Sequence, residues 1–488
     1  MDKSLRVLLV AAEATPFAKV GGLAEFAGSL PKALRKLGVD ARLILPRYGD
    51  RSHAGLPSMR KVGTTLRVPI GPDYESAHLL HGVVDGVPVY MVFNDQYFGN
   101  RDRVYGFNDD PQRFTFFSRA VVEALKGLDW IPDVVHATDW HTAPIPTWLK
   151  IYGQDVVPYR DIATLYTIRD FDYQGECGRL LLNFCRMERV PHLDVERPGK
   201  VNWMAQGIAH ADVISTVSPT YAHEICDTDL GGALQPLLSA RRDRFFGILS
   251  GIDTQAWDPS VDPALAQTYD WETVHMRVVN KQALQRELHL LPEREVPLIG
   301  TVSRIDPHKG VGLLSAALDE ILDQHRMQFV FLGTGDDEEL KQQLLSLQQK
   351  YPQAVRVLLR YDERMARRIY GGVDLFVLPS QHESVSVAVM AAMRYGAVPV
   401  VRATGGLVDT VIDIDQEPDR GTGFTFAAFE VGEPHRAVER ALTAFAMPAT
   451  WGDLQKRAMT RDFSWGASAR GYIDLYQRAI ALHQRRRQ

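Results

Sequence analysis

Short, unbroken apolar runs separated by helical stretches dominate this chain, and the rhythm occurs twice. Residues 5–12 form an apolar run of strand length, as expected of a strand covered on both faces in a parallel sheet. A loop with Pro16 and Gly21-Gly22 follows. Leu23, Phe26, Ala27, Leu30, Ala33, Leu34 and Leu37 then recur at helical spacing until Gly38 stops the helix. Residues 41–45 give the next strand, and residues 83–93 a hairpin around Asp85-Gly86. Phe114, Phe117, Val121 and Leu125 mark one helical stripe, and short strands fall at 133–136, 162–167 and 213–217. A second series starts near Val296, with a strand at 298–302, a Pro307/Gly310 loop and a helix from Val311 to about Gln324. Strands at 329–332, 355–358, 375–378 and 398–401 follow, with helices between them. The fold class is therefore α/β, with two doubly wound parallel sheets. Residues 247–259 are punctuated by Gly, Pro and Asp, as in a linker. This predicts domains over 1–246 and 247–464. A last helix over 465–488 would carry Trp465, Ala469, Tyr472, Tyr476 and Ile480 on one face.

Composition removes several function classes. The net charge of -5, from 55 basic and 60 acidic residues, is too mild for a broad nucleic-acid surface. Arg485-Arg486-Arg487 reads as a frayed, solvated helix end. No apolar run approaches the ~20 residues of a membrane span. The N-terminal run ends at Glu13, too soon for a signal peptide. Cys177, Cys185 and Cys226 form no C-x-x-C pair, which suits a reducing cytoplasm better than a disulfide framework.

Both series open with the same device. The first strand leads to Lys19-Val-Gly21-Gly22 and a helix; the strand at 298–302 leads to Arg304, Lys309-Gly310 and a helix. A cation beside glycine-exposed amides at a helix N-terminus is suited to an anion, at the carboxyl end of a strand where open α/β sheets bind ligands. Neither loop is a Walker A motif. Neither half shows G-x-G-x-x-G with a following acid, which disfavours a dehydrogenase. His136, Asp139 and His141 fall at H-x2-D-x-H spacing, which taken alone suits metal ligation.

Lys19-Val-Gly-Gly-Leu-Ala-Glu25 resembles the signature of bacterial glycogen synthases and plant starch synthases. The resemblance continues through Asp139-Trp-His-Thr142, Tyr173-Gln-Gly175, Thr216-Val-Ser-Pro-Thr-Tyr221 and Gly251-Ile-Asp253 with Trp257 and Pro259. It extends to Ser303-Arg304 with Lys309-Gly310, and to Thr404-Gly-Gly-Leu407 with Asp409-Thr-Val411. It implies a GT-B fold, two Rossmann-like domains facing across a cleft, with the last helix returning to the first domain. It also implies a metal-independent retaining glucosyltransferase without a cofactor, moving glucose from ADP-glucose or another nucleotide sugar to the non-reducing end of an α-1,4-glucan. On this reading Arg304 and Lys309 neutralise the departing diphosphate and Glu383 contacts the transferred glucose. Lys19, Gly21, Gly22, Ser386, Thr404, Gly405 and Gly406 hold the donor, Tyr361 stacks on its base, and Asp139, His141, Arg169, Asp170 and Gln174 serve sugar hydroxyls.

Several positions depart from the family pattern. The family's usual Ile-His-Asn is Ile168-Arg169-Asp170, and the asparagine before Gly-Ile-Asp is Ser250. The block Glu-Pro-Cys-Gly-Leu-Thr is Glu383-Ser-Val-Ser386-Val387-Ala388. Two function classes follow: an active glucan synthase with a retuned sugar pocket, or a paralogue that binds glucan or a synthase partner with little turnover. A GT-B transferase acting on a small acceptor is a third.

Overall fold

The computed structural model describes residues 4–49, 58–153, 155–187 and 199–486. The chain divides into two compact units, Met1–Gly251 with Trp465–Gln488, and Ile252–Ser464. The division falls just beyond residue 247 because the chain is still tied to the first sheet there: the Ile248 and Ser250 amides donate to the carbonyls of Thr216 and Val217.

The first unit is built on strands β1 (Arg6–Val10), β2 (Asp40–Pro46), β3 (Arg60–Ile70), β4 (Asp73–Val84), β5 (Val87–Phe93), β6 (Val134–Thr138) and β7 (Ala163–Ile168). A ribbon of β8 (Glu176–Gly178) and β9 (Lys200–Asn202) follows, then β10 (Val213–Thr216) and β11 (Phe245–Gly247). Nine of these strands form one sheet in the order β11-β10-β7-β6-β1-β2-β5-β4-β3. Its pairings are parallel except β3 with β4 and β4 with β5. The β4–β5 hairpin turns at Asp85 and Gly86, both at positive φ, which suits the right-handed twist of its strands. Strand order runs outward in both directions from β1 and β6, so the topological switch lies between those two neighbours.

The sequence pattern does not predict β3, or β4 before its last two residues. β3 is the edge strand and β4 is its neighbour, and the first eight residues of β3 are half-exposed or exposed. They carry none of the apolar run that betrays a strand buried on both faces.

The last helix, Trp465–Arg485, belongs to this first unit. Trp465 and Tyr472 pack edge-on against Phe26 of the helix Gly22–Lys36, and the Tyr476 hydroxyl bonds His136 Nδ1 at 2.9 Å. Arg486, expected in a solvated end, instead pairs with the buried Asp212 at 2.9 Å; Arg487 lies outside the described residues.

The second unit contains β12 (Leu298–Val302), β13 (Gln328–Leu332), β14 (Val355–Leu358), β15 (Leu375–Leu378), β16 (Val398–Arg402) and β17 (Phe424–Phe426). They pair in parallel in the order β14-β13-β12-β15-β16-β17. Ile299, Phe329, Val377 and Val400 from the sheet, with Leu314, Leu318 and Leu344 from helices, form its core. Here the switch lies between β12 and β15. No disulfide joins the three cysteines. Among the described residues, no helix is long and apolar enough to cross a membrane.

Candidate active site

In each unit residues singled out by sequence follow the carboxyl ends of the parallel strands, those at the switch among them; Arg169 and Asp170 follow β7, Tyr361 follows β14 and Thr404–Gly406 follow β16. In the first unit, β1 runs into the Lys19–Gly22 loop and β6 into Asp139. The helix Gly22–Lys36 starts at Gly21 and carries Phe26, Ala27, Leu30 and Leu34 into the core. Lys19 is exposed and its ammonium lies 2.6 Å from Glu25.

The loop's inner face holds a residue that the sequence reading did not single out. Glu13 is 2% exposed, and its carboxylate accepts the Val20 and Gly21 amides at 2.5 and 3.2 Å. Gly21 thus donates inward, while no acceptor for the Gly22 amide occurs among the described residues. Burial raises the Glu13 pKa, and the Val20 and Gly21 amides and the Arg169 cation oppose the rise. One sequence signal was available: an acid at the end of an apolar strand, directly before a glycine loop, needs donors if buried.

Arg169 gathers this unit's site. Its backbone amide donates to Asp139 Oδ1 at 2.7 Å, and its guanidinium lies 4.8 Å from the Phe26 ring centre. The guanidinium reaches Ser250 Oγ at 3.4 Å, a long hydrogen bond that joins two departures from the family pattern. A Cβ on Gly22 would stand 3.2 Å from the same guanidinium. Burial lowers the Arg169 pKa, opposed by the charges of Asp139, Tyr472 and Glu13.

Asp139 is 6% exposed and has φ 52°, an uncommon conformation for a non-glycine residue. Burial pushes its carboxyl up to about 7, against the Arg169 amide and cation. Between the ordinary carboxylate range and about pH 7, the folded chain therefore holds a proton that the unfolded chain has released. This group's contribution to stability falls as pH rises through that window. Asp139→Asn, which cannot titrate, is expected to gain about 4 kcal/mol relative to the parent between about pH 4 and about pH 8. Denaturant melts across that range check this; parallel profiles for the two proteins would contradict it.

The neighbouring residues divide by role. His136 faces the core, with one ring nitrogen on Tyr476 and the other on Thr167 at 2.6 Å, and burial lowers it to about 3. It has no nitrogen left for a metal. His141 stacks on Trp140 at 4.2 Å and is also held near 3 by burial, so it is a neutral imidazole. Gln174 accepts from Asn202 at 2.6 Å and donates to the Phe171 carbonyl. Asp170 is exposed and caps the Asp172 amide at 2.8 Å. Trp140, Tyr173, Gln174 and Asp110 line a groove of about 510 Å³. Gly175 is required there, since a Cβ would stand 2.6 Å from the Trp140 ring.

In the second unit, β12 leads to Arg304 and Lys309, and its neighbour β15 leads to Glu383. Asp306 caps the short turn Pro307–Lys309, and Gly310 (φ 69°) starts the helix Val311–Gln324. The Lys309 ammonium lies 2.6 Å from Glu383 Oε2, which also accepts from the Ser380 hydroxyl at 3.0 Å. Glu383 is 6% exposed, and its Oε1 accepts no bond among the described residues. Arg304 is well exposed, 3.8 Å from Asp306.

Ser386 caps the helix Val387–Arg394 by accepting the Val389 amide, which leaves its own proton to donate. The Gly406 amide donates to the Glu383 carbonyl at 2.9 Å, tying the Thr404-Gly405-Gly406 turn to the Glu383 loop. Gly405 adopts φ 46°, and Thr404 is buried. Tyr361 stands apart from this cluster, 80% exposed, just before the helix Glu363–Gly372. The arrangement can bind an anion beside a buried carboxylate. Among the described residues no group of His, Cys, Asp and Glu could hold a metal ion.

Comparison with known proteins covers nearly the whole chain. Residues 6–240 match the family described as starch synthase catalytic domain, and residues 285–455 match glycosyl transferases group 1. The chain is 41% identical to a glycogen synthase of Moorella thermoacetica and 39% identical to one of Anoxybacillus flavithermus, with 98% of each chain covered in both comparisons. The catalytic domain of starch synthase IV from Arabidopsis thaliana, solved with ADP and acarbose, superposes with a TM-score of 0.87 at 33% identity. That comparison covers 98% of this chain and 100% of the other. A sucrose-phosphate synthase from Thermosynechococcus elongatus shares the fold at a TM-score of 0.60 and 17% identity, over 98% of this chain and 99% of the other.

Proposed function

Because this chain belongs to the glycogen and starch synthase family of hexosyltransferases and has its GT-B fold, we propose that it transfers glucose from ADP-glucose to the non-reducing end of an α-1,4-glucan, with retention at the anomeric carbon. The observation that carries this reading is the Lys309–Glu383 pair at 2.6 Å, set at the carboxyl ends of neighbouring strands with Arg304 on the same loop as Lys309.

The chemistry follows from charge. As the bond between the glucose anomeric carbon and the diphosphate oxygen breaks, its electron pair leaves with the phosphate. Arg304 and Lys309 stabilise that growing negative charge, the work a divalent metal does elsewhere. The acceptor hydroxyl forms the new bond on the same face, and its proton passes to the leaving phosphate. Glu383 Oε1 takes a hydroxyl of the transferred glucose, and the carboxylate favours positive charge at the sugar ring. Lys309 and Ser380 keep Oε2 in place.

The remaining roles are assigned within each unit. Lys19 and the Gly22 amide serve donor phosphate in the first unit; Ser386 and the Thr404–Gly405 turn do so in the second. Gly21 and Gly406 shape those loops, since their amides bond Glu13 and the Glu383 carbonyl. The exposed Tyr361 ring offers a face for adenine. In the first unit, the Trp140–Tyr173 groove, which Gln174 also lines, takes glucan, and Asp139, His141 and Asp170 are assigned to sugar hydroxyls. The chain's place is the cytoplasm, whose reducing conditions suit the three free cysteines.

The test is ADP release from ADP-glucose with a glycogen primer, in the presence of a chelator and with UDP-glucose in parallel. Primer-dependent release that survives chelation, faster from ADP-glucose, is expected. Glucan binding with no release from any nucleotide sugar would overturn the catalytic reading in favour of a binding paralogue.

A further inference from the structure

The Lys19–Gly22 loop is a glycine turn with backbone amides aimed in two directions. The Val20 and Gly21 amides point inward to the Glu13 carboxylate, and the Gly22 amide stands at the start of a fifteen-residue helix. The rest of the loop folds back on itself: Ala14 bridges Ala18, and the Thr15 amide donates to the Ala24 carbonyl. Glu13 is thus the internal anion around which the turn is wound. A carboxylate so buried needs donors and a counter-charge. The amides are the donors, and the Arg169 guanidinium, packed over Phe26 and against Gly22, is the nearby cation.

We propose that Glu13 is a positioning residue for donor binding. Its buried carboxylate, balanced by Arg169, holds the Val20 and Gly21 amides inward and thereby presents the Gly22 amide and Lys19 to the donor diphosphate. Glu13 touches no substrate; it acts through the loop. Arg169 then has a defined job at a position where the family pattern differs. It neutralises an acid lying directly behind a phosphate site, which would otherwise repel the ligand. The inference rests on the reading of this loop as a donor-phosphate site.

The test compares Glu13→Met, Glu13→Gln and Glu13→Asp in the full chain. Methionine fills the space without accepting, glutamine keeps an acceptor oxygen, and aspartate keeps the charge one methylene short. The probe is ADP, by calorimetry, alongside steady-state KM for ADP-glucose and for glycogen, with melting temperatures. Loss of charged acceptors for two amides predicts ADP binding weaker by ~10–30-fold in Glu13→Met. The same reasoning predicts about 3–10-fold weaker binding in Glu13→Asp and within about threefold of the parent in Glu13→Gln. The KM for ADP-glucose is expected to rise in step, with the KM for glycogen unchanged. Unchanged ADP binding in Glu13→Met would overturn the proposal, as would equal loss of ADP and glycogen affinity tracking the melting temperature. If Glu13→Met does not fold, ADP binding by Glu13→Asp at the parent's affinity overturns it equally. A parent protein that binds no ADP would remove the donor reading itself, and this inference with it.

Discussion

Lys309→Ala is expected to lower primer-dependent ADP release by about 100–1,000-fold, the usual effect of removing one preorganised group that meets charge in the transition state. The loss belongs mostly to kcat, because the charge that Lys309 answers grows as the glycosidic bond breaks. Two effects combine. The departing diphosphate loses a cation, and Glu383 loses the partner 2.6 Å away that fixes its Oε2, keeping only Ser380. Glu383→Ala is expected to cost at least ~100-fold by the same reasoning. Because the two side chains share one contact, Lys309→Ala combined with Glu383→Ala should be little slower than the worse single variant. Losses that multiply in full would show that the two residues act separately. Steady-state ADP release at saturating primer, corrected for residual folded fraction, measures all three.

Gly310→Ala should disable the same site without touching a functional side chain. Gly310 has φ 69°, and a Cβ there would stand 2.1 Å from the Pro379 carbonyl oxygen. The left-handed conformation penalises alanine by itself, and the overlap forces the loops after β12 and β15 apart. Together these are expected to lower stability by about 3 kcal/mol or more. Pro379 precedes Ser380, whose hydroxyl holds Glu383, so the displacement passes directly to the Lys309–Glu383 pair. Turnover is therefore expected to fall even below the melting transition, where most molecules are folded. Thermal melts and ADP release on one preparation check both parts; unchanged turnover in folded protein would contradict the second.

The sheets were legible where the chain is buried on both faces. The runs ending at Val10 and Leu378 read as strands because nothing polar interrupts them late in the run, and the run ending at Val302 is broken only by the β-branched Thr301. The edge strand β3 was not legible, since solvent lets Arg60, Lys61, Thr64 and Thr65 stand where a core would demand valine or isoleucine. The sequence also points to Lys309 and Glu383 separately. Their contact depends on β15 lying beside β12, a choice of strand order that no local pattern carries. Glu13 and Gly21 illustrate the same limit at shorter range. A glycine loop announces exposed amides, but which way each amide points is decided by a buried acid eight residues earlier.

The return of the helix Trp465–Arg485 to the first unit also governs the order in which the protein can be made. Synthesis delivers every residue of Ile252–Ser464 before Trp465, Tyr472 and Tyr476 emerge. Until then Phe26 lacks Trp465 and Tyr472, and His136 Nδ1 lacks the Tyr476 hydroxyl. A nascent first unit is therefore an open seam held for the length of its partner's synthesis. Its closure comes only when the last helix arrives, which makes the chain's end a checkpoint for its beginning.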